Sequence, residues 1–146
     1  MEQEVFLNLW RTFDRLKVLE EKLFSRYDLT AQQYNALRLL RAAHPESLQT
    51  LTLAARLISR APDITRLLDR LEERGLIQRE RPMEDRRMVQ VRITPAGIAL
   101  LQEMAGALQE CHRQQLGHLS VEEQQLLIML LRKARAPHEP PDSAWR

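Results

Sequence analysis

The residues Glu84-Asp85-Arg86-Arg87 form a charged run between two segments rich in apolar and β-branched side chains, and Arg66 and Arg70 stand four residues apart in the helix-patterned stretch before it. Guanidinium groups suit one kind of chemistry: they donate hydrogen bonds from a fixed fork to phosphate oxygens or to the acceptor edge of a base. Catalysis would instead need a nucleophile, a base and an orienting group that converge, and no such set is visible, so an enzyme is not expected. His44, His112, His118 and His138 are scattered. Cys111, His112 and His118 have the side chains of metal ligands. Yet Cys111 and His118 lie about two turns apart on a helix, and no carboxylate completes a tetrahedral set, so neither metal nor other cofactor is expected. Cys111 is the single cysteine, which rules out an intrachain disulfide, and its place on an apolar stripe reads as an inert buried thiol.

These side chains need a scaffold. At 146 residues, 44% hydrophobic and 29% charged, the chain has the composition of one globular domain with a real core. It contains no apolar run of about 18 residues. Its start lacks the charged, apolar and small-residue order of a secretory signal, so a cytoplasmic protein is expected. The formal net charge is only +2, and between residues 60 and 92 nine arginines stand against seven acids. Discrimination must come from the arrangement of charges more than from bulk attraction.

Apolar residues at Phe6, Leu9, Phe13, Leu16, Leu19, Leu23 and Tyr27 recur every three or four positions and predict one long helix, its stripe widened by Trp10, Val18 and Phe24. Such a face must be buried against the body or a partner chain. Thr30 and Gln33 form a capping-box pattern for a second helix over residues 31–43, which His44-Pro45 ends. A short apolar segment around residues 51–58 precedes a clearer helix over residues 61–74. In that helix Pro62 sits in the first turn, Ile64, Leu67, Leu68 and Leu71 face inward, and Gly75 supplies a left-handed cap. Residues 76–81 and 88–93 read as strands, the second alternating Val89, Val91 and Ile93 with Met88, Gln90 and Arg92. Thr94-Pro95 opens a helix carrying Ile98, Leu101, Ala105, Leu108 and Cys111, and Ser120 with Glu123 caps a last helix with Leu127, Leu130, Leu131 and Ala134. Pro137, Pro140 and Pro141 mark a tail, residues 137–146, expected to be disordered. The expected fold is mainly α with a small β-hairpin wing: a winged helix-turn-helix lobe plus long helices.

The stretch Thr65 to Ile77 fits T-R-L-x-D-x-L-E-x-x-G-L-[IV], Asp85-Arg86-Arg87 fits D-x-R, and Ile93 to Gly97 fits [LI]-T-x-x-G. In this combined pattern the chain resembles the MarR family of bacterial transcriptional regulators, in helix order up to about residue 136. The resemblance implies a homodimer whose interface is built from residues 1–29 and 95–136, with residues 30–94 as the DNA-binding lobe, and a ligand-responsive repressor or activator, the repressor being preferred. It places Arg87 at the wing arginine that enters the minor groove of double-stranded DNA, with Asp85 orienting the loop or pairing with that guanidinium and Arg86 left for phosphate or groove edge. A solvated turn is the plain alternative for the loop. The start of the recognition helix, Arg60, Ala61, Asp63, Ile64 and Thr65, is where helix-turn-helix proteins touch bases, but R-A-P-D departs from the serine and threonine of many relatives.

Asp63 either accepts from a cytosine amino group or stabilises the helix start, the second being preferred. Thr65 and Arg66 suit phosphate, and Arg66 and Arg70 point outward together unless they pair with Asp63, Asp69 or Glu73. The family's effector pocket, between the dimer helices and the lobe, has Trp10, Phe13, Lys17, Tyr34 and His44 as candidate lining residues for a small molecule of unknown identity. A winged helix that binds protein instead of DNA is the competing class. Arginines in the wing favour DNA, and Met83 is the only apolar residue at its tip.

Overall fold

The computed structural model describes residues 1–85 and 87–146. Helix α1 (Glu2–Ser25) leads through a sharp corner to α2 (Ala31–Ala43), where Thr30 and Gln33 form the expected capping box. Strand β1 (Leu48–Gln49) precedes α3 (Thr50–Arg56) and α4 (Ile64–Glu73), the helix-turn-helix pair. Strands β2 (Ile77–Glu80) and β3 (Gln90–Ile93) form the wing, α5 (Pro95–Leu116) and α6 (Val121–Arg135) follow, and a 3-10 turn (Ala136–His138) ends the regular structure.

The sheet has three antiparallel strands in the order β1-β3-β2, one more than the hairpin read from the sequence. Leu48 pairs with Val91 and Gln49 with Gln90, while Ile77 pairs with Ile93. Two residues are too few to show alternation, which is why β1 escapes a periodicity reading. Val91 and Ile93 are buried and Arg92 is exposed, as the alternation of β3 requires. The core lies under this sheet, where Leu37, Leu40, Leu53, Leu68, Leu71 and Met104 are almost wholly buried.

Helix α4 starts later than expected. Asp63 is its N-cap, accepting from the Arg66 N–H at 3.0 Å, so Pro62 lies before the helix and not in its first turn. At the other end Gly75 takes φ +69°, the Gly75 N–H donates to the Glu72 carbonyl and the Leu76 N–H to the Leu71 carbonyl, a glycine-terminated Schellman motif. The chain then meets α5 at one junction. Thr94 Oγ1 donates to the Gly75 carbonyl at 2.6 Å and accepts from the Gly97 N–H at 3.1 Å, and the Thr94 N–H donates to the Leu76 carbonyl. Gly97 is demanded by space: a Cβ there would collide with the Leu76 carbonyl oxygen and stand 2.7 Å from Ile93 Cγ1.

The long stripe of α1 divides. Leu23 and Phe24 are buried, whereas Phe6, Trp10 and Phe13 are 62%, 64% and 66% exposed. Helix α6 buries no residue at all within the chain. Residues 137–146 fold back on α6: Arg135 donates through Nε and Nη2 to the Trp145 carbonyl and pairs with Glu139 at 3.2 Å.

Gly97→Ala is expected to destabilise the chain by roughly 1–3 kcal/mol through overpacking against backbone. Urea unfolding checks this, and an unchanged midpoint would show that the junction can yield.

Candidate nucleic-acid interface

One face of α4 is held by the core through Leu67, Leu68 and Leu71, which leaves Thr65, Arg66 and Arg70 exposed on the other. Two acids of the same helix, Asp69 and Glu72, are turned away from that face, whereas Glu73 is exposed beside Arg70. Arg79 of β2 reaches Asp69 Oδ1 with Nη2 at 2.5 Å and Glu72 Oε1 with Nη2 at 3.0 Å and Nε at 3.3 Å, and its backbone N–H donates to Glu72 Oε2 at 2.8 Å. The hydrogen bond from the Arg79 side chain holds the Glu72 carboxyl below the usual carboxylate range, against a smaller opposing effect of burial. Asp63 is occupied by the helix cap. Among the described residues no ion pair or side-chain hydrogen bond engages the guanidinium of Arg60, Arg66, Arg70 or Arg87. Pairing of Arg66 and Arg70 with Asp63, Asp69 or Glu73 is therefore not what this structure has.

The wing is ordered from within. Asp85 Oδ1 accepts from the Arg87 backbone N–H at 2.9 Å and the Asp85 carbonyl from the Met88 N–H at 3.2 Å. Of the two roles open to Asp85, orienting the loop is the one found, and the Arg87 side chain stays exposed. Arg86 lies outside the described residues.

Two grooves flank α4. One, of about 360 Å³, brings Thr65 and Arg87 together with Thr50, Leu51, Arg79 and Arg81. The other, of about 350 Å³, gathers Asp63, Arg66 and Arg70 against Thr30, Gln32 and Gln33 at the start of α2. Arg60 is exposed just before the helix, but Ala61 packs against the core and offers little to a partner. Thr50, Leu51 and Gln32 are members of these surfaces that the sequence reading missed. Only the register of α3 and α2 against α4 reveals them.

A separate cavity of about 500 Å³ lies between α2 and α5, lined by Tyr34, Arg38, Arg41, Leu101, Ala105, Leu108, Gln109 and His112. Of the candidate effector residues only Tyr34 lines it. Trp10 and Phe13 sit on the exposed half of α1, Lys17 pairs with Asp14 at 3.5 Å, and His44 is exposed at the end of α2. The stripes Tyr34, Arg38, Arg41 and Leu101, Ala105, Leu108, His112 have helical spacing, but their facing each other is a tertiary fact.

Two buried amides set the polar groups of this cavity. Asn35 Oδ1 accepts from Arg38 Nε and Nη2 at 3.3 and 2.8 Å. Gln115 donates from Nε2 to the Leu16 carbonyl at 2.9 Å, so its Oε1, 2.9 Å from His112 Nδ1, accepts from that nitrogen. Burial raises the Tyr34 phenol above its ordinary value, against the Arg38 charge. Burial, then the Glu20 charge, likewise raises the Cys111 thiol. Among the described residues no cluster of three metal-ligating side chains exists.

Residues 29–89 match the model of the MarR family. The chain is 32% identical over 109 residues to the homoprotocatechuate degradative operon repressor of Escherichia coli, covering 75% of this chain and 72% of that one. A MarR transcription factor structure from Planctomyces limnophilus shares 53% identity with a TM-score of 0.75, covering 90% and 95% of the two chains. The structure of Bordetella bronchiseptica BpsR, whose DNA binding is regulated by 6-hydroxynicotinic acid, shares 26% identity with a TM-score of 0.79 over 89% and 91%.

The Glu72–Arg79 pair has a pH signature of definite sign. A carboxyl whose folded pKa is lowered adds stability above its unfolded value, about 4.3, and loses it as pH falls through the folded one. Wild type should therefore melt above Glu72→Gln at neutral pH, with the gap closing below about pH 4. A gap that stays constant into acid would assign the effect to shape and not charge.

Proposed function

The chain belongs to the MarR family and is a transcriptional regulator, not an enzyme; from that premise we propose that it acts as a homodimeric, ligand-responsive repressor with α4 in the major groove and Arg87 in the minor groove. The observation that carries this reading is the sorting of charge on the lobe. Arg79 and the helix cap occupy Asp63, Asp69 and Glu72, while Arg66, Arg70 and Arg87 remain exposed on the side that two adjacent grooves open to. Such a surface attracts phosphate although the stretch from residue 60 to 92 is nearly balanced in charge. Dimer formation is supported by the exposed apolar faces of α1 and α6, which a second copy would bury.

The effector reading moves to the cavity between α2 and α5. Arg38 and Arg41 at an apolar floor of Leu101 and Leu108 suit a small aromatic carboxylate, and BpsR responds to a compound of that class. A bound acid would take its charge to the arginines and its ring to the leucines.

Anisotropy titration on DNA from directly upstream of the gene, with unrelated DNA as competitor, is the test. Arg87→Ala should weaken binding by roughly 1–3 kcal/mol with an unchanged melting temperature. Equal affinity in mutant and wild type would return the loop to a solvated turn, and a monomer by light scattering would remove the dimer. For the cavity, aromatic carboxylates should release the DNA complex, and Arg38→Ala should abolish that response. Equal potency of neutral phenols would discard the anion site.

A further inference from the structure

Arg66, Arg70 and Arg74 follow one another at four-residue intervals along α4, which on spacing alone makes three equivalent outward cations. The structure separates the third from the other two. Arg74, the C-cap of α4, turns back across the lobe and donates from Nη1 to the Asp28 carbonyl at 2.5 Å and from Nη2 to the Tyr27 carbonyl at 3.1 Å. Those carbonyls belong to the corner after α1. There the Asp28 N–H donates to the Ser25 carbonyl and the Leu29 N–H to the Phe24 carbonyl, with Asp28 at φ +53°. The corner is thus a second Schellman-type ending, beside the one at Gly75, with a non-glycine residue in the left-handed region. The Tyr27 and Asp28 carbonyls lie just past the negative end of a 24-residue helix, a place where a guanidinium is favoured.

We propose that Arg74 is a positioning residue that ties the recognition helix to the end of α1 and so fixes the angle at which α4 meets DNA, without itself touching phosphate. The proposal rests on the DNA-binding reading above. A bidentate grip on two adjacent carbonyls resists both sliding and rotation of the helix end, which a single bond would not. Arg70 and Glu73 line the same cleft with Asp28, so the tie lies one turn from a side chain offered to the DNA.

The test compares Arg74→Ala with Arg70→Ala in anisotropy titrations between 50 and 200 mM salt, on upstream and unrelated DNA. Arg74→Ala is expected to lower selectivity for upstream DNA on the order of tenfold, leaving the salt slope and the affinity for unrelated DNA unchanged. Arg70→Ala is expected to weaken both DNAs and to reduce the slope by about 1. A reduced slope in Arg74→Ala would make it a phosphate contact and overturn the proposal, as would unchanged selectivity.

A DNA-free measurement separates failure of the tie from failure of the DNA reading. Nitroxides on Glu73→Cys in a Cys111→Ser background report the distance between the two α4 helices of the dimer. Arg74→Ala should broaden that distribution and Arg74→Lys should restore it in part, whereas an unchanged width overturns the proposal whatever the DNA result. Absence of selective binding in wild type, or of any inter-helix distance, would indict the DNA or dimer reading instead.

Discussion

The contact on which the lobe depends is the hydroxyl of Thr94 held between the Gly75 carbonyl and the Gly97 N–H. Three elements end or begin there: α4 through its glycine terminator, the sheet through the paired Ile77 and Ile93, and α5 through its first turn. Each has its own local reason for stopping, but only the threonine makes the reasons agree. The absence of a Cβ at Gly97 lets the Leu76 carbonyl approach the start of α5, so the longest helix after α1 leaves the lobe in a fixed direction. Core packing of Leu71, Ile77 and Met104 then fills the space that this direction defines.

Charge works in the same lobe by subtraction. A composition count over residues 60–92 sees nine arginines and seven acids and finds little bias. The fold spends one arginine, Arg79, on two of the acids and a helix cap on a third, and turns Arg74 onto backbone carbonyls. What remains outward on α4 is cationic in its central turns. Local field, which matters to a polyanion within a Debye length, is set by that residue and not by the total.

Much of this was readable in advance, for reasons that differ by element. Both capping boxes, at Thr30 and Ser120, appear where the sequence put them, because capping is local and its residue types are few. The Gly75 terminator and the alternation of β3 were legible on the same ground. The start of α4 was misplaced because Pro62 is equally at home in the first turn and before it, and the Asp63 cap decides between them. Strand β1 and the cavity between α2 and α5 were hidden since each exists only through a partner distant in sequence. Trp10 and Phe13 drew attention as aromatic residues at helical spacing, yet neither lines that cavity, whose walls include Tyr34 with arginine and leucine side chains.

Helix α1 joins these points. Its C-terminal half is part of the core through Leu23 and Phe24, and its N-terminal half projects Phe6, Trp10 and Phe13 into solvent. An α-helix of 24 residues is a rod of about 36 Å that bends little, so whatever surface covers one half also orients the other. The covered end passes into the Tyr27–Asp28 corner, and the corner is gripped by Arg74, the C-cap of α4. The exposed apolar face of α1 at one end of the molecule and the exposed Arg66 and Arg70 at the other are thereby joined by one continuous path. A side chain that touches neither surface can still decide how well they act together.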